Sequence, residues 1–233
     1  MYTLVAEQDD FLVIHKRAGV SLHNETGDGL IQAIRRERNS QQIFPVHRLD
    51  KATSGLLLLA TNRQANQTLS QLFQHRQVEK YYLAVSQHKP TKKQGLVSGD
   101  MVRTRNGNWK LTRDHTHPAV TQFFSYGLGD GQRLFVLKPT TGKTHQLRVA
   151  LKSLGSPIIG DHRYGQAGES HSTLLLHAWC LRFIYNGHDY AYQQLPNVDS
   201  FGGAVITLVQ RQLPKPWTLP WPILPTSLRP EHG

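Results

Sequence analysis

His47-Arg48-Leu49-Asp50-Lys51-Ala52-Thr53-Ser54-Gly55 runs directly into the apolar stretch Leu56-Leu57-Leu58-Leu59-Ala60. A short continuous apolar run bounded by turn residues predicts a buried strand, and the Thr-Ser-Gly sequence predicts the turn that feeds it. Such a turn presents the carboxylate of Asp50 at the edge of a cleft, between Arg48 and Lys51. Asp50 is therefore the first candidate for chemistry. An acid with basic neighbours at a turn is also how a structural ion pair reads, so this segment alone leaves both roles open.

On the N-terminal side, Phe11-Leu12-Val13-Ile14 predicts a core strand that leaves through the turn Lys16-Arg17-Ala18-Gly19-Val20. Leu30, Ile31 and Ile34 then recur at helical spacing among Arg35, Arg36 and Arg38, the pattern of a short amphipathic helix with a basic solvent face. On the C-terminal side, Thr61 or Asn62 can cap a helix that places Ala65, Leu69, Leu72 and Phe73 on one side. Glu79 to Val85, Ala119 to Phe124 and Leu134 to Leu137 predict strands, whereas residues 91–118 show only loops and short hairpin strands.

Thr140-Thr141-Gly142-Lys143-Thr144 leads into a helix carrying Leu147, Ala150, Leu151 and Leu154 and closed by Gly155. That assignment puts Arg148 and Lys152 one turn apart on its free face, where they can meet an acid or a phosphate. Asp161-His162-Arg163-Tyr164-Gly165 reads as a polar loop, and Leu174 to Leu176, Leu181 to Tyr185 and Ala204 to Val209 as further strands. Prolines at 214, 216, 220, 222, 225 and 230 predict an extended or disordered arm. The pattern is that of an α+β catalytic domain over residues 1–212, a mixed sheet with a few helices on it, followed by a proline-rich tail over 213–233.

With 27 Lys plus Arg against 16 Asp plus Glu, the 233-residue chain carries a formal charge of +11. Its field attracts polyanions, and nucleic acid is the leading partner. Cys180 is the only cysteine, which excludes an intrachain disulfide and a cysteine-rich zinc site and fits a reducing cytoplasm. Residues 1–10 lack the basic start and apolar run of a signal peptide, and no apolar stretch approaches the roughly 20 residues of a membrane span. A cytoplasmic protein without a membrane partner is expected.

His47-Arg48-Leu49-Asp50 with Thr53-Ser54-Gly55, then Lys80-Tyr81-Tyr82, then Thr141 to Val149, then Gly160-Asp161-His162-Arg163-Tyr164-Gly165 and Leu176-His177-Ala178 occur in this order. This ordered set resembles the signature of the RluA-type pseudouridine synthases over roughly residues 4 to 185. The resemblance implies a mixed, mainly antiparallel central sheet with flanking helices and a catalytic cleft. It also implies isomerisation of uridine to pseudouridine in RNA, with ribosomal and transfer RNA both compatible; no metal or organic cofactor is implied, no DNA is expected as partner, and nothing demands more than a monomer.

By the same correspondence, Asp50 falls on the family's catalytic aspartate, Tyr82 on its active-site tyrosine, and Arg148 on the arginine that pairs with the aspartate. A carboxylate acts as nucleophile or base only while ionised, and a guanidinium beside it favours that form and fixes its direction. A phenol beside a flipped base can stack on it and help move the C5 proton. His47, Arg48, Lys51, Thr53, Lys143, His145 and Arg163 are the expected substrate-binding set. For His47 and Arg48, loop-stabilising hydrogen bonds are an equal alternative. The family's opening turn carries Lys-Pro where this chain has Lys16-Arg17, which removes a rigid φ from that turn. The reading also expects a short form without the S4-like module that larger members place in front.

Two other classes compete. A metal hydrolase draws on 13 histidines and on the compact Asp114-His115-Thr116-His117, but no histidine pair has the helical spacing and carboxylate partner of a zinc motif. An RNA-binding module without catalysis has no need for Asp50, Tyr82 and Arg148 together. A nucleophile elbow and a glycine-rich phosphate loop are both missing from the sequence.

Overall fold

The structure is a computed structural model that describes residues 1–23, 29–165 and 173–228, so Pro230 of the proline-rich end lies outside the described residues. In chain order the first elements are β1 (Tyr2–Glu7), β2 (Phe11–Lys16), α1 (Leu30–Glu37), β3 (Phe44–Pro45), β4 (Ser54–Ala60), α2 (Arg63–Gln74) and β5 (Glu79–Ser86). They are followed by β6 (Gln94–Gly99), β7 (Met101–Arg103), β8 (Trp109–Leu111), β9 (Ala119–Gly129), β10 (Gln132–Pro139) and α3 (Gln146–Ser153). The last are β11 (Leu176–Tyr185), β12 (His188–Gln193), α4 (Val198–Phe201) and α5 (Gly203–Gln212). The architecture is α+β with mixed, mainly antiparallel strand pairing, as the resemblance implied. The chain folds as two compact units, Met1–Glu79 with His177–Leu195, and Lys80–Leu176 with Pro196–His232.

In the first unit the strand order is β1-β2-β4-β11, with β12 added to β11 and β3 to the far end of β4. β4 runs antiparallel to β2 and parallel to β11. Leu56 to Leu59 are fully buried, because both faces of β4 are covered, which is why this strand reads as a continuous apolar run and not as an alternation. Phe11, Val13, Leu56 and Leu58 pack with Leu181 and Phe183 against Ala65 and Leu69 of α2. The α2 N-terminus is capped by Asn62, whose Oδ1 accepts the Ala65 N–H at 2.8 Å. Of the basic residues on α1, Arg35 is not simply solvated: it donates twice to the Ile43 carbonyl and lies over the Phe44 ring.

In the second unit the antiparallel order is β5-β10-β9-β6, and β7 and β8 pair as a separate two-stranded hairpin. Two expectations are corrected here. Ala204 to Val209 is rich in β-branched residues and reads as a strand, yet it lies in α5, where Val205 and Val209 are buried one turn apart. The weak intrinsic preference of Val and Ile is overridden by burial of that stripe.

The proline-rich segment is also not an extended arm over residues 213–222. Leu213 and Pro216 are buried, and Trp221 packs on Tyr81 and edge-on to Phe124. The Trp221 indole N–H donates to the Pro216 carbonyl, the Gln122 amide donates to the Pro222 carbonyl, and Lys138 sits over both the Tyr81 and Trp221 rings. Among the described residues no helix is long and apolar enough to cross a membrane.

Candidate active site

In the first unit, Asp50 is half-buried and heads a tight turn in which its carbonyl accepts the Thr53 N–H at 3.0 Å. Thr53 is buried, whereas Arg48 and Lys51 project into solvent on either side. Beneath this turn lies Lys16, the last residue of β2, with no exposed surface. Its ammonium donates to the carbonyls of Arg17 at 3.1 Å, Val20 at 2.9 Å and Lys51 at 3.2 Å, and the Gly19 N–H joins it on Lys51 at 2.8 Å. Burial pushes the Lys16 pKa down to about 8, and the charge of Asp50 pulls it back up. One buried cation thus ties the loop of Asp50 to the turn after β2. Arg17, where the family has proline, donates its N–H to the Met1 carbonyl at 3.0 Å, a bond that proline lacks.

The far end of the loop is held just as firmly. Ser54 contacts Nδ1 of His177 at 2.8 Å, and His177 Nε2 contacts the Gln194 carbonyl at 2.7 Å. A carbonyl only accepts, so Nε2 carries the proton, Nδ1 accepts, and the Ser54 hydroxyl is the donor. Burial pushes the His177 pKa down to about 3, with the Gln194 bond opposing and His15 adding to the effect. Gly55 has φ +115°, and a Cβ there would overlap the backbone of Ala178, so only glycine lets β4 approach β11 at this point. His47 is built into the scaffold: its Nε2 accepts the Leu58 N–H at 3.0 Å, and its ring stacks on Phe73 at 4.4 Å.

In the second unit, Tyr82 is half-buried on β5 opposite Leu137 of β10. The loop before α3 is organised by the buried amide of Gln146. Its Oε1 accepts from the Thr141 hydroxyl at 2.7 Å and the Lys143 N–H at 2.9 Å. Its Nε2 donates to the Val120 carbonyl at 3.0 Å and the Thr121 hydroxyl at 2.9 Å. All four hydrogen-bonding positions of the amide are filled. This leaves Lys143 exposed and His145 half-buried in a left-handed conformation at φ 57°.

Arg148 is not on a free face of α3. It is 7% exposed and makes a bidentate pair with Asp161, Nε to Oδ2 at 2.8 Å and Nη2 to Oδ1 at 2.6 Å. Burial raises the Asp161 pKa, and the Arg148 hydrogen bond and charge, with the N–H groups of Tyr164 and Arg163, outweigh it, so the carboxyl lies below its ordinary range. The Tyr164 ring lies 5.0 Å from the Arg148 guanidinium. Gly160, at φ +76°, places the Asp161 loop where a Cβ would overlap the Thr173 carbonyl.

Arg163 is exposed, with its N–H engaged by Asp161. Asp161, Lys16, Gln146 and His177 are supports that sequence reasoning does not single out. The signal for Asp161 and His177 lies in the Gly-Asp and Leu-His-Ala motifs, whose partners only the fold reveals. Asp114 to His117 forms an exposed loop whose Thr116 and His117 N–H groups bind the Asp100 carboxylate, and among the described residues no three potential ligands converge on a metal position.

Comparison with known proteins gives the family of the chain. Residues 10–153 match the family model described as RNA pseudouridylate synthase. The chain is 44% identical over 217 residues to an uncharacterised RNA pseudouridine synthase of Haemophilus influenzae, covering 92% of this chain and 97% of that one. It is 36% identical over 169 residues to ribosomal large subunit pseudouridine synthase C of Rickettsia bellii, covering 70% of this chain and 56% of that longer protein. Among solved structures, the human RNA pseudouridylate synthase domain containing 1 aligns with a TM-score of 0.72 at 26% identity, over 85% of this chain and 84% of that one. The chain belongs to the RNA pseudouridylate synthase family as an RluA-type member, an isomerase acting on RNA.

Proposed function

We propose that the protein converts specific uridines in structured ribosomal or transfer RNA to pseudouridine in the cytoplasm, with Asp50 as the group that starts the reaction. The reaction breaks the N1–C1′ bond and forms a C5–C1′ bond, while a proton leaves C5 and one is gained at N1. No oxidant or reductant is consumed. Asp50 acts as nucleophile or base, Tyr82 stacks on the extruded base and assists proton movement at C5, and Arg148 fills the position of the family's aspartate-pairing arginine. Arg48, Lys51, Lys143 and Arg163 supply cations to the RNA backbone, and Thr53 and His145 complete the proposed substrate-binding set. Contacts of this kind offset the few kcal/mol needed to extrude a base.

One observation carries the reading: the family match over residues 10–153 contains Asp50, Tyr82 and Arg148 together, each within its expected motif. The ribosomal name of the Rickettsia relative supports ribosomal RNA as a substrate class. The test is tritium release from RNA labelled at C5 of uridine, with pseudouridine mapped by sequencing in cells with and without the protein. Release by the wild type and none by Asp50→Asn, at nearly unchanged RNA affinity, is expected. Equal release by both proteins would remove Asp50 from the chemistry, and no release from any cellular RNA would overturn the reading.

A further inference from the structure

Among the described residues the strands β7 and β8 pair only with each other, and β8 lies against α3. Residues 101–113 contain Arg103, Arg105, Lys110 and Arg113 and no acidic residue. All four cations are exposed, and none forms an ion pair among the described residues.

The hairpin is hydrogen-bonded at both ends. At its base the Thr112 N–H donates to the Asp100 carbonyl at 2.8 Å, and the Asp100 carboxylate takes the N–H groups of Thr116 and His117. At its tip the Thr104 N–H donates to the Asn108 carbonyl at 2.7 Å and the Gly107 N–H to the Thr104 carbonyl at 3.0 Å. A hairpin whose exposed charges over residues 101–113 are all cationic fits a phosphodiester backbone, whose repeating anions need spaced cations and no base readout.

The hairpin is also fastened to the Arg148 pair through a single side chain. Buried Tyr164 accepts the Trp109 N–H of β8 on its phenol oxygen at 3.1 Å. The same oxygen lies 2.9 Å from Nδ1 of His145, to which it donates when that nitrogen carries no proton. The Tyr164 ring covers the Arg148 guanidinium, and its N–H binds the Asp161 carboxylate at 3.0 Å. Displacing β8 therefore pulls on the ring that packs against Arg148 and on His145, the residue immediately before α3.

We propose that the β7–β8 hairpin is an RNA-backbone sensor and that Tyr164 is the positioning residue that latches it to the Arg148–Asp161 pair. The inference rests on the proposed function for its catalytic half only. RNA engaged along the hairpin holds β8, and through Tyr164 holds Arg148 and His145, in the arrangement used for turnover.

The experiment uses the full chain, a short fluorescein-labelled RNA duplex for binding, and C5-tritiated total RNA for turnover. The exposed charge reversal Arg105→Glu with Lys110→Glu is expected to weaken duplex binding about tenfold and to reduce the slope of log K against log salt by about two. Unchanged affinity and slope overturn the sensor, and this holds whether or not tritium is released. Tyr164→Phe keeps the ring over Arg148 but loses the Trp109 and His145 bonds. It is expected to lower kcat about fivefold or more with KM and duplex affinity nearly unchanged, and a wild-type kcat overturns the latch. If Tyr164→Phe does not melt cooperatively, the charge reversal decides the latch: a rise in KM alone overturns it, and a fall in kcat at saturating RNA supports it.

Discussion

The hydroxyl of Ser54 donates to Nδ1 of His177 at 2.8 Å, joining residues 123 positions apart in sequence where β4 and β11 run parallel. Because His177 must accept from Ser54 while donating to the Gln194 carbonyl, only its neutral form fits. The strand that follows the Asp50 turn is thereby tied to β11 by a histidine that cannot take up a proton without breaking one of its two bonds.

A pH dependence follows with a definite sign. The unfolded imidazole titrates near pH 6.5 and the folded one near 3. Between these values the unfolded chain binds a proton that the folded chain does not, so stability is lost as pH falls from about 6.5 towards 3, with a slope of about 1.4 kcal/mol per pH unit from this group. Denaturant melts across that range measure it. The slope is expected to flatten in His177→Gln by about that amount, and an identical slope would refute the assignment.

Asp161→Asn removes the carboxylate charge that pairs bidentately with buried Arg148 and is expected to cost about 3 to 5 kcal/mol of stability. Replacing both partners with apolar residues, Arg148→Met with Asp161→Leu, is expected to recover most of that stability and none of the activity. Recovered turnover in the double variant would show that the pair is structural only.

Two glycines with similar backbone angles separate strain from collision. Gly187, at φ +78°, has open space where a Cβ would stand, so Gly187→Ala is expected to cost about 1 to 2 kcal/mol, the ordinary penalty of a left-handed residue. Gly160→Ala at φ +76° meets the Thr173 carbonyl as well and is expected to cost more than this and to depress turnover by moving Asp161. Thermal melts and tritium release of the two variants provide the comparison.

Lys16→Met retains the length of the side chain but leaves the carbonyls of Arg17, Val20 and Lys51 without their shared donor. A loss of about 2 to 3 kcal/mol is expected, with kcat falling more than RNA affinity because Lys16 has no surface to offer RNA. Reduced affinity at unchanged kcat would contradict a role beneath the Asp50 loop.

Much of the scaffold is legible because its signals are local. The run Leu56 to Ala60 reads as a strand, Leu30, Ile31 and Ile34 mark the buried side of α1, and the structure agrees at both, while of Thr61 and Asn62, either of which can cap α2, it chooses Asn62. α5 misleads a local reading, since a run of β-branched residues speaks for a strand until the stripe of Val205 and Val209 finds a surface to bury against. The prolines from 214 to 222 exclude regular structure locally but do not forbid packing, and Trp221 supplies the apolar area that holds them.

By itself, the sequence determined the α+β class, the Asp50 turn ahead of its buried strand, and the ordered motifs that mark the family, because periodicity, turn chemistry and motif order are written in neighbouring residues. Only the tertiary structure decided what supports the candidate residues: Lys16 under the Asp50 loop, His177 behind Ser54, Asp161 against Arg148, and Tyr164 between Arg148 and β8. Each of these pairs a buried polar group with one distant in the chain or on another element. Burial is what makes such a partner obligatory, and no local pattern says which residue will supply it.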